Sequence, residues 1–158
     1  MPEPDRRTLW PLAVVLATTS MMLVNERVAV AAEGVARYRV VGDTIPDPLS
    51  PSPSDAQRGR ALVLARNAAN CVLCHAFPEA SLRFAGDIGP SLAGVGRRLS
   101  VAQLRLRVVD NLRVNPASAM PSYHRVDGLT NVAAQYAGAP ILGAAEVEDV
   151  VAYLASLQ

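Results

Sequence analysis

Lysine is absent from this chain of 158 residues, so all fifteen of its basic side chains are arginine. The 14 acidic residues nearly balance them, and the formal net charge is +1 at pH 7. A chain so close to neutral does not favour nucleic acid or an anionic membrane surface as a partner. Without lysine, the side chains that remain as candidate metal ligands are few.

Cysteine, histidine and aromatic residues are also scarce. The chain has two cysteines and two histidines, and aromatic side chains make up 4% of it. Two cysteines exclude the dense disulfide framework of small secreted proteins. A domain with so few large rings would have a thin core unless another apolar body filled it.

Both cysteines and one histidine lie together in the segment Cys71-Val72-Leu73-Cys74-His75. The spacing C-x-x-C-H is the pattern of covalent haem attachment, in which two thiols bond the porphyrin and the histidine binds the iron. Haem would also supply the apolar body that the core needs. The sequence therefore predicts one haem c, held covalently through Cys71 and Cys74, with His75 as an axial iron ligand.

Three other interpretations of the cysteines are weaker. A redox dithiol of the thioredoxin type requires a βαβ setting, which the sequence does not indicate. A zinc site usually takes four ligands at a familiar spacing, and His124 lies too far along the chain to complete one. A disulfide between Cys71 and Cys74 is chemically possible, but it leaves the adjacent His75 unexplained.

A haem iron needs a sixth ligand unless it binds small molecules at an open position. Beyond residue 32 the only methionine is Met120 and the only second histidine is His124. Met120 precedes Pro121 in a proline-bounded segment predicted to be non-helical, where an extended chain would carry the thioether across the haem. We predict Met120 as the sixth ligand, with His124 and an open site as alternatives, and His124 is otherwise expected at the surface.

The first 32 residues are typical of an export signal. Arg6 and Arg7 precede the uncharged, mostly apolar stretch 9–24, and small residues near position 32 suit cleavage. An uncleaved membrane anchor is the alternative, but the stretch is short for a span of ~20 residues and Pro11 interrupts it. The sequence predicts a cleaved signal peptide over 1–32, export by the general secretory route and a periplasmic protein with no membrane attachment after cleavage.

Residues 33–53 are rich in proline, which favours an extended arm. Such an arm is either a tether without a role or a segment laid against a partner. Residues 54–158 are predicted to form the haem domain.

Three helices are predicted in this domain. The first begins at a capping box formed by Ser54 and Gln57 and runs directly into Cys71. The second spans 100–113 and opens with a capping box of Ser100 and Gln103. The third spans 144–157, with apolar residues at helical spacing and acidic residues in its first turn.

Gly59 lies inside the first predicted helix, where glycine costs ~1 kcal/mol relative to alanine. Its expected use is close approach of the last helix, with Val150 or Tyr153 packed over it. The stretch 77–98 is predicted as a loop on the histidine side of the haem, where a backbone carbonyl near Pro90 accepts the ring N–H of His75. The candidate partners of the haem propionates are arginines near these segments: Arg83, Arg97, Arg98, Arg105 and Arg107.

The combination of helix, C-x-x-C-H, Gly-Pro-x-Leu-x-Gly, Met-Pro and an apolar last helix resembles the class I cytochrome c family. Within it, the sequence is similar to the SoxX-type cytochromes, the small monohaem cytochromes of sulfur-oxidising complexes. The segments that carry the narrower resemblance are 41–49, 59–61, 71–75, 92–96, 103–110, 120–123, 125–129 and 148–154. They span nearly all of residues 38–157.

The resemblance implies an all-α class I cytochrome c domain whose N- and C-terminal helices cross and whose haem lies in the core. It implies an electron-relay role for His75 and Met120 and a haem anchor for Cys71 and Cys74, with no catalytic residue in this chain. The complex would couple thiosulfate to a carrier-protein cysteine, as an L-cysteine S-thiosulfotransferase. Its reacting site would lie in a larger SoxA-type cytochrome subunit, and an acceptor cytochrome would take the electrons.

Two other functions are compatible with the sequence. One is a free-standing periplasmic electron carrier with no dedicated partner, although the extended arm and the long segment after Tyr123 favour a subunit. The other is a gas or peroxide sensor, which requires an open iron position.

Overall fold

The computed structural model describes residues 35–158, and the predicted signal peptide over 1–32 lies outside them. The elements are helical: α1 (Ala56–Leu64), α2 (Val95–Arg98), α3 (Val101–Asp110), α4 (Ala144–Ser156) and the 3₁₀ turns Cys71–Leu73, Asn111–Arg113 and Ala134–Tyr136. Within 35–158 the one β-type pairing is an isolated bridge between Val41 and Thr44. The predicted all-α class is confirmed. No helix in this part of the chain has the length and apolar character needed to cross a bilayer.

Helix α1 starts one residue later and ends earlier than the sequence predicts. Its N-cap is Asp55, whose carboxylate accepts the backbone N–H groups of Gln57 and Arg58 at 2.7 and 3.2 Å, so the capping box at Ser54 is wrong. The helix stops at Leu64, and Asn70 takes a left-handed conformation with φ of 51° before the cysteine segment. The prediction that α1 runs directly into Cys71 is therefore wrong, because the chain turns between the two.

Helices α1 and α4 cross at Gly59. A Cβ at this position would overlap the carbonyl of Asp149 and lie 2.9 Å from the backbone nitrogen of Val150. The close approach is confirmed, with Val150 rather than Tyr153 at the crossing. Glycine is required here because the two helix backbones touch with no room for a side chain.

The second predicted helix is divided in the structure. The capping box of Ser100 and Gln103 is confirmed, with reciprocal hydrogen bonds of 3.0 and 3.3 Å. Helix α3 ends at Asp110, and the next three residues form a 3₁₀ turn. Part of the predicted loop is the short helix α2, which packs on the end of α4 through a hydrogen bond from Gly96 N to the Leu157 carbonyl at 2.8 Å.

The proline-rich arm packs on its own domain. Ile45 is fully buried and its N–H donates to the Ala102 carbonyl at 3.0 Å, and Leu49 N donates to Glu148 Oε1 at 2.8 Å. At these positions the arm is fastened to its own domain and is not a loose tether. The interpretation as a tether is corrected, because the arm covers α3 and the start of α4, and contact of the arm with a partner stays a prediction.

A buried ion pair joins α3, α4 and the arm. Arg105 donates to both carboxylate oxygens of Glu148 at 2.8 and 2.9 Å and to the Ile45 carbonyl at 2.7 Å. Both side chains are less than a tenth exposed. Arg105 is therefore committed to this contact and is wrong as a candidate for a propionate.

Candidate functional site

The four predicted haem-binding residues, Cys71, Cys74, His75 and Met120, all line one cavity of about 680 Å³. Its volume lies within the range of about 300–1,000 Å³ that is common for cofactor and ligand sites. All four α-helices and the segment before α4 contribute apolar side chains to its wall: Val63, Val95, Leu104, Val108, Leu142, Val150 and Leu154. The fold thus brings together side chains that are up to 49 positions apart in the sequence (120 − 71).

The cysteine segment forms one tight turn. Cys74 N and His75 N both donate to the Cys71 carbonyl, at 3.1 and 3.0 Å, within and after the 3₁₀ turn Cys71–Leu73. This local hydrogen bonding places both thiols and the imidazole on the same cavity wall.

Cys71 and Cys74 do not form a disulfide with each other. Burial raises the pKa of the Cys71 thiol to about 11, which keeps it protonated at neutral pH. Within residues 35–158, no three His, Cys, Asp or Glu side chains converge on a possible metal position.

A carbonyl on the loop after the motif orients His75. His75 Nδ1 lies 2.7 Å from the Pro90 carbonyl oxygen, and since a carbonyl only accepts, Nδ1 carries the proton. This leaves Nε2 as the nitrogen that can bind iron, and the predicted contact at Pro90 is confirmed. A Cβ at Gly89 would lie 2.6 Å from His75 Nδ1, so glycine is required for the loop to pass over the ring.

The same loop runs along the cysteine segment through backbone hydrogen bonds. Gly86 N donates to the Val72 carbonyl at 2.9 Å, and Gly89 N donates to the Cys74 carbonyl at 2.8 Å. A Cβ at Gly86 would collide with the Leu73 carbonyl. The glycines of this loop therefore serve close backbone contact around the histidine, as predicted.

Met120 reaches the cavity from the segment after α3. It is partly buried against the core, and its neighbour Tyr123 is buried and also lines the cavity. The Tyr123 hydroxyl donates to the Ala69 carbonyl at 2.9 Å, two residues before Cys71, and burial raises the pKa of its phenol. Tyr123 thus ties the methionine segment to the cysteine segment.

His124 is fully buried and does not line the cavity. The Leu142 carbonyl lies 2.8 Å from Nδ1, and the Ala36 N–H donates to Nε2 at 3.0 Å. Both ring nitrogens are engaged in a neutral tautomer that bridges the arm to the start of α4. The expectation of a surface histidine is wrong, and this geometry gives His124 no free nitrogen for iron.

Among the predicted arginines, Arg98 and Arg107 line the cavity, and Arg83, Arg97 and Arg105 do not. Arg98 donates to the carbonyls of Ser91 and Ala93 at 3.0 and 2.6 Å, which fixes its guanidinium at the cavity rim. Arg107 lies 3.6 Å from Asp43.

Asn70 is a wall residue that sequence reasoning missed. Its Oδ1 atom is buried without a hydrogen-bond partner among the described residues, and it faces a cavity whose wall holds two thiols, an imidazole and a thioether. A buried polar atom without a partner is rare, and it indicates that another group completes the site. The signal in the sequence was an asparagine directly before the motif. Asn70 adopts the left-handed conformation, and asparagine is among the few residues that do so.

Comparison with known proteins agrees with this geometry. A family model described as cytochrome c matches residues 56–158. A chain in the crystal structure of SoxXA from P. pantotrophus is 30% identical, with a TM-score of 0.72, and the match covers 78% of this chain and 96% of that chain. No curated protein sequence matches. The family match includes all four α-helices that surround the cavity.

Proposed function

The chain belongs to the cytochrome c family and is a SoxX-type cytochrome, and from this premise we propose that it relays electrons as a subunit of a thiosulfate-oxidising complex. The family carries haem c, and we propose a single one in this chain. The single observation that carries the proposal is the cavity that gathers Cys71, Cys74, His75 and Met120.

The residues of the cavity have distinct roles in this proposal. Cys71 and Cys74 would hold the porphyrin through thioether bonds, and His75 Nε2 and the Met120 sulfur would bind the iron. When bound, haem c supplies an iron that alternates between the ferrous and ferric states. The Pro90 carbonyl fixes the His75 tautomer and increases the basicity of its ring as a ligand.

Met120 is favoured over His124 by the hydrogen bonds of the structure. Both nitrogens of His124 are engaged by backbone groups of Ala36 and Leu142, and His124 does not line the cavity, whereas Met120 lies on its wall. Ligation by one methionine and one histidine gives the iron a higher reduction potential than ligation by two histidines, which suits a relay that accepts electrons. A six-coordinate iron also disfavours the sensor function, which requires an open position.

We propose that the partner is a larger SoxA-type cytochrome, because the similar chain belongs to a SoxXA structure. Thiosulfate would be joined to a carrier-protein cysteine at a site in that partner, making this chain the non-catalytic subunit of an L-cysteine S-thiosulfotransferase. An acceptor cytochrome would take up the electrons. Cleavage of residues 1–32 would release the mature protein into the periplasm.

Exposed apolar side chains beside the cavity support a protein partner. Phe84 is 79% exposed, Ile88 73% and Leu73 55%, and the loop that carries the first two is hydrogen-bonded to the cysteine segment. Such side chains near a redox site favour docking of another protein. The arm no longer distinguishes a subunit from a free-standing carrier, since it packs on its own domain.

Three measurements test the proposal. The mass of the exported protein should exceed that of its polypeptide by one haem, and its oxidised spectrum should show the far-red band of methionine–iron ligation. Affinity purification of the tagged protein from thiosulfate-grown cells should bring a larger c-type cytochrome with it. A colourless folded protein at its bare polypeptide mass would overturn the haem assignment. A haem protein that purifies without a partner would overturn the subunit role and favour the free-standing electron carrier.

A further inference from the structure

Two serines flank Met120 at equal distances in the sequence, and consecutive residues at the end of α3 hold them. Asn111 Nδ2 donates to Ser118 Oγ at 2.7 Å, and the same oxygen accepts the N–H of Met120 at 3.0 Å. On the other side, Ser122 Oγ donates to Asp110 Oδ1 at 2.8 Å. Met120 therefore lies between two side-chain contacts to one helix end.

The carboxylate that accepts the Ser122 hydroxyl, that of Asp110, is buried and faces two arginine side chains. Asp110 is 1% exposed, and its Oδ2 lies 3.0 Å from Arg125 Nε, an ion pair without hydrogen-bond alignment, and 3.6 Å from Arg113 Nε. A buried carboxylate is stable only when it is paired and hydrogen-bonded. Ser122 therefore meets an acceptor that its neighbours hold in place.

The backbone after Met120 is fastened to the same helix end. Tyr123 N donates to the Val108 carbonyl at 3.2 Å, and the N–H groups of His124 and Arg125 share the Val109 carbonyl at 3.3 Å each. The last carbonyls of a helix have no partner within it, so they are available to an adjacent segment. The C-terminal end of α3 is thus the support on which the methionine segment lies.

We propose that Asp110 and Asn111 are positioning residues that hold the Met120 thioether towards the iron through Ser122 and Ser118. This inference rests on the proposed function, because it takes Met120 as the sixth ligand. The two hydrogen bonds suppress states in which the segment swings away from the iron and exposes its sixth position.

Competition with imidazole for the ferric iron measures how often Met120 leaves. Apparent affinity for an added ligand rises in proportion to the population of the binding-competent state. Loss of one hydrogen bond in Ser118→Ala or Ser122→Ala should raise the apparent imidazole affinity by about three- to tenfold. The double variant should raise it by about ten- to a hundredfold if the two contacts act independently.

A matched control separates this role from a general loss of stability. Ser156→Ala removes a hydroxyl that donates to the Tyr153 carbonyl at 2.6 Å in α4, away from Met120. It should leave imidazole affinity unchanged even if denaturant unfolding shifts. Asp110→Ala removes the acceptor of the Ser122 hydroxyl and should act in the same direction as Ser122→Ala.

Three results would overturn the proposal. Wild-type affinity in both serine variants, or an equal rise in the Ser156→Ala control, would show that the contacts do not position Met120. If the wild-type oxidised protein lacked the methionine–iron band, the ligand assignment itself would fail. The band in the wild type therefore distinguishes failure of the proposed function from failure of the positioning role.

Discussion

The two sides of the cavity are held in different ways. On the histidine side, residues 70–98, backbone hydrogen bonds fasten the glycine loop to the cysteine turn, as between Gly89 N and the Cys74 carbonyl. On the methionine side, residues 108–125, polar side chains carry many of the contacts, including Asp110, Asn111 and the two serines. Two further side chains there, Tyr123 and His124, reach 54 and 88 positions along the chain.

Because of this difference, substitutions should affect the two sides of the cavity differently. Backbone contacts survive most side-chain substitutions, so the histidine side should respond mainly to changes at its ligands and its glycines. Side-chain contacts are lost with a single substitution, so the methionine side should be the tunable one. The following experiments test that contrast, from the largest expected effect to the smallest.

Replacement of the two proposed axial residues, His75 and Met120, should have unequal consequences. His75→Ala removes the ligand next to both cysteines, and we expect no stable haem-containing protein in exported fractions. Met120→Ala should retain covalent haem, because its attachment lies on the other side, but should lose the far-red band. Mass spectrometry and the oxidised spectrum measure both, and equal loss of haem in the two variants would contradict the contrast.

His124→Ala should destabilise the fold without altering iron ligation. It leaves the Ala36 N–H and the Leu142 carbonyl without partners and opens a cavity, at a cost of about 2–4 kcal/mol in the free energy of unfolding. Denaturant unfolding measures the loss, and the far-red band should remain. Disappearance of the band with the fold intact would show that methionine ligation depends on His124, which would contradict this expectation.

Gly89→Ala should shift the reduction potential through the histidine. The added Cβ would lie 2.6 Å from His75 Nδ1, so the ring must move and its hydrogen bond to Pro90 must weaken. A less basic imidazole stabilises ferric iron less, which raises the potential by about 20–60 mV for the loss of one such bond. Redox titration measures the shift, and an unchanged potential with normal haem content would show that the loop absorbs the methyl group.

A carboxylate four residues after His75 gives the histidine side an acid-dependent contribution to stability. Hydrogen bonds from Arg60 and then Tyr153 lower the pKa of Glu79 to about 2. Since its folded pKa lies below the ordinary value of 4.5, the contribution is complete above about pH 4.5 and is lost as pH falls towards 2. The unfolding free energy of Glu79→Gln should fall short of wild type at neutral pH and converge with it in acid.

Asp127→Asn, which alters an exposed carboxylate, is the control for that pH dependence. Its difference from wild type is measured across the same pH range as the reference. A Glu79→Gln difference that does not narrow below pH 4.5 would show that the ion pair contributes nothing that titrates.

Local patterns predicted the backbone contact that orients His75 and the cap of α3. The motif supplied Cys71, Cys74 and His75, and the loop composition predicted the contact at Pro90, because these residues lie within one short stretch of backbone. The capping box at Ser100 was likewise readable, since both partners are three positions apart. The cap at Asp55 was missed because two polar candidates, Ser54 and Asp55, are adjacent there, and the N–H of Asp55 donates to Asp149 of α4 at 2.6 Å.

The sequence by itself determined the chemistry of this protein: a cysteine turn with an adjacent histidine, one available methionine, no lysine, and helices with an apolar face. Only the tertiary structure decided that His124 is a buried bridge, that Arg105 pairs with Glu148, and that the arm covers its own domain. The physical reason is the sequence separation of the interacting residues. Short motifs record interactions within a turn of chain, whereas the partner of a buried polar group depends on which distant segment the packed core brings to it.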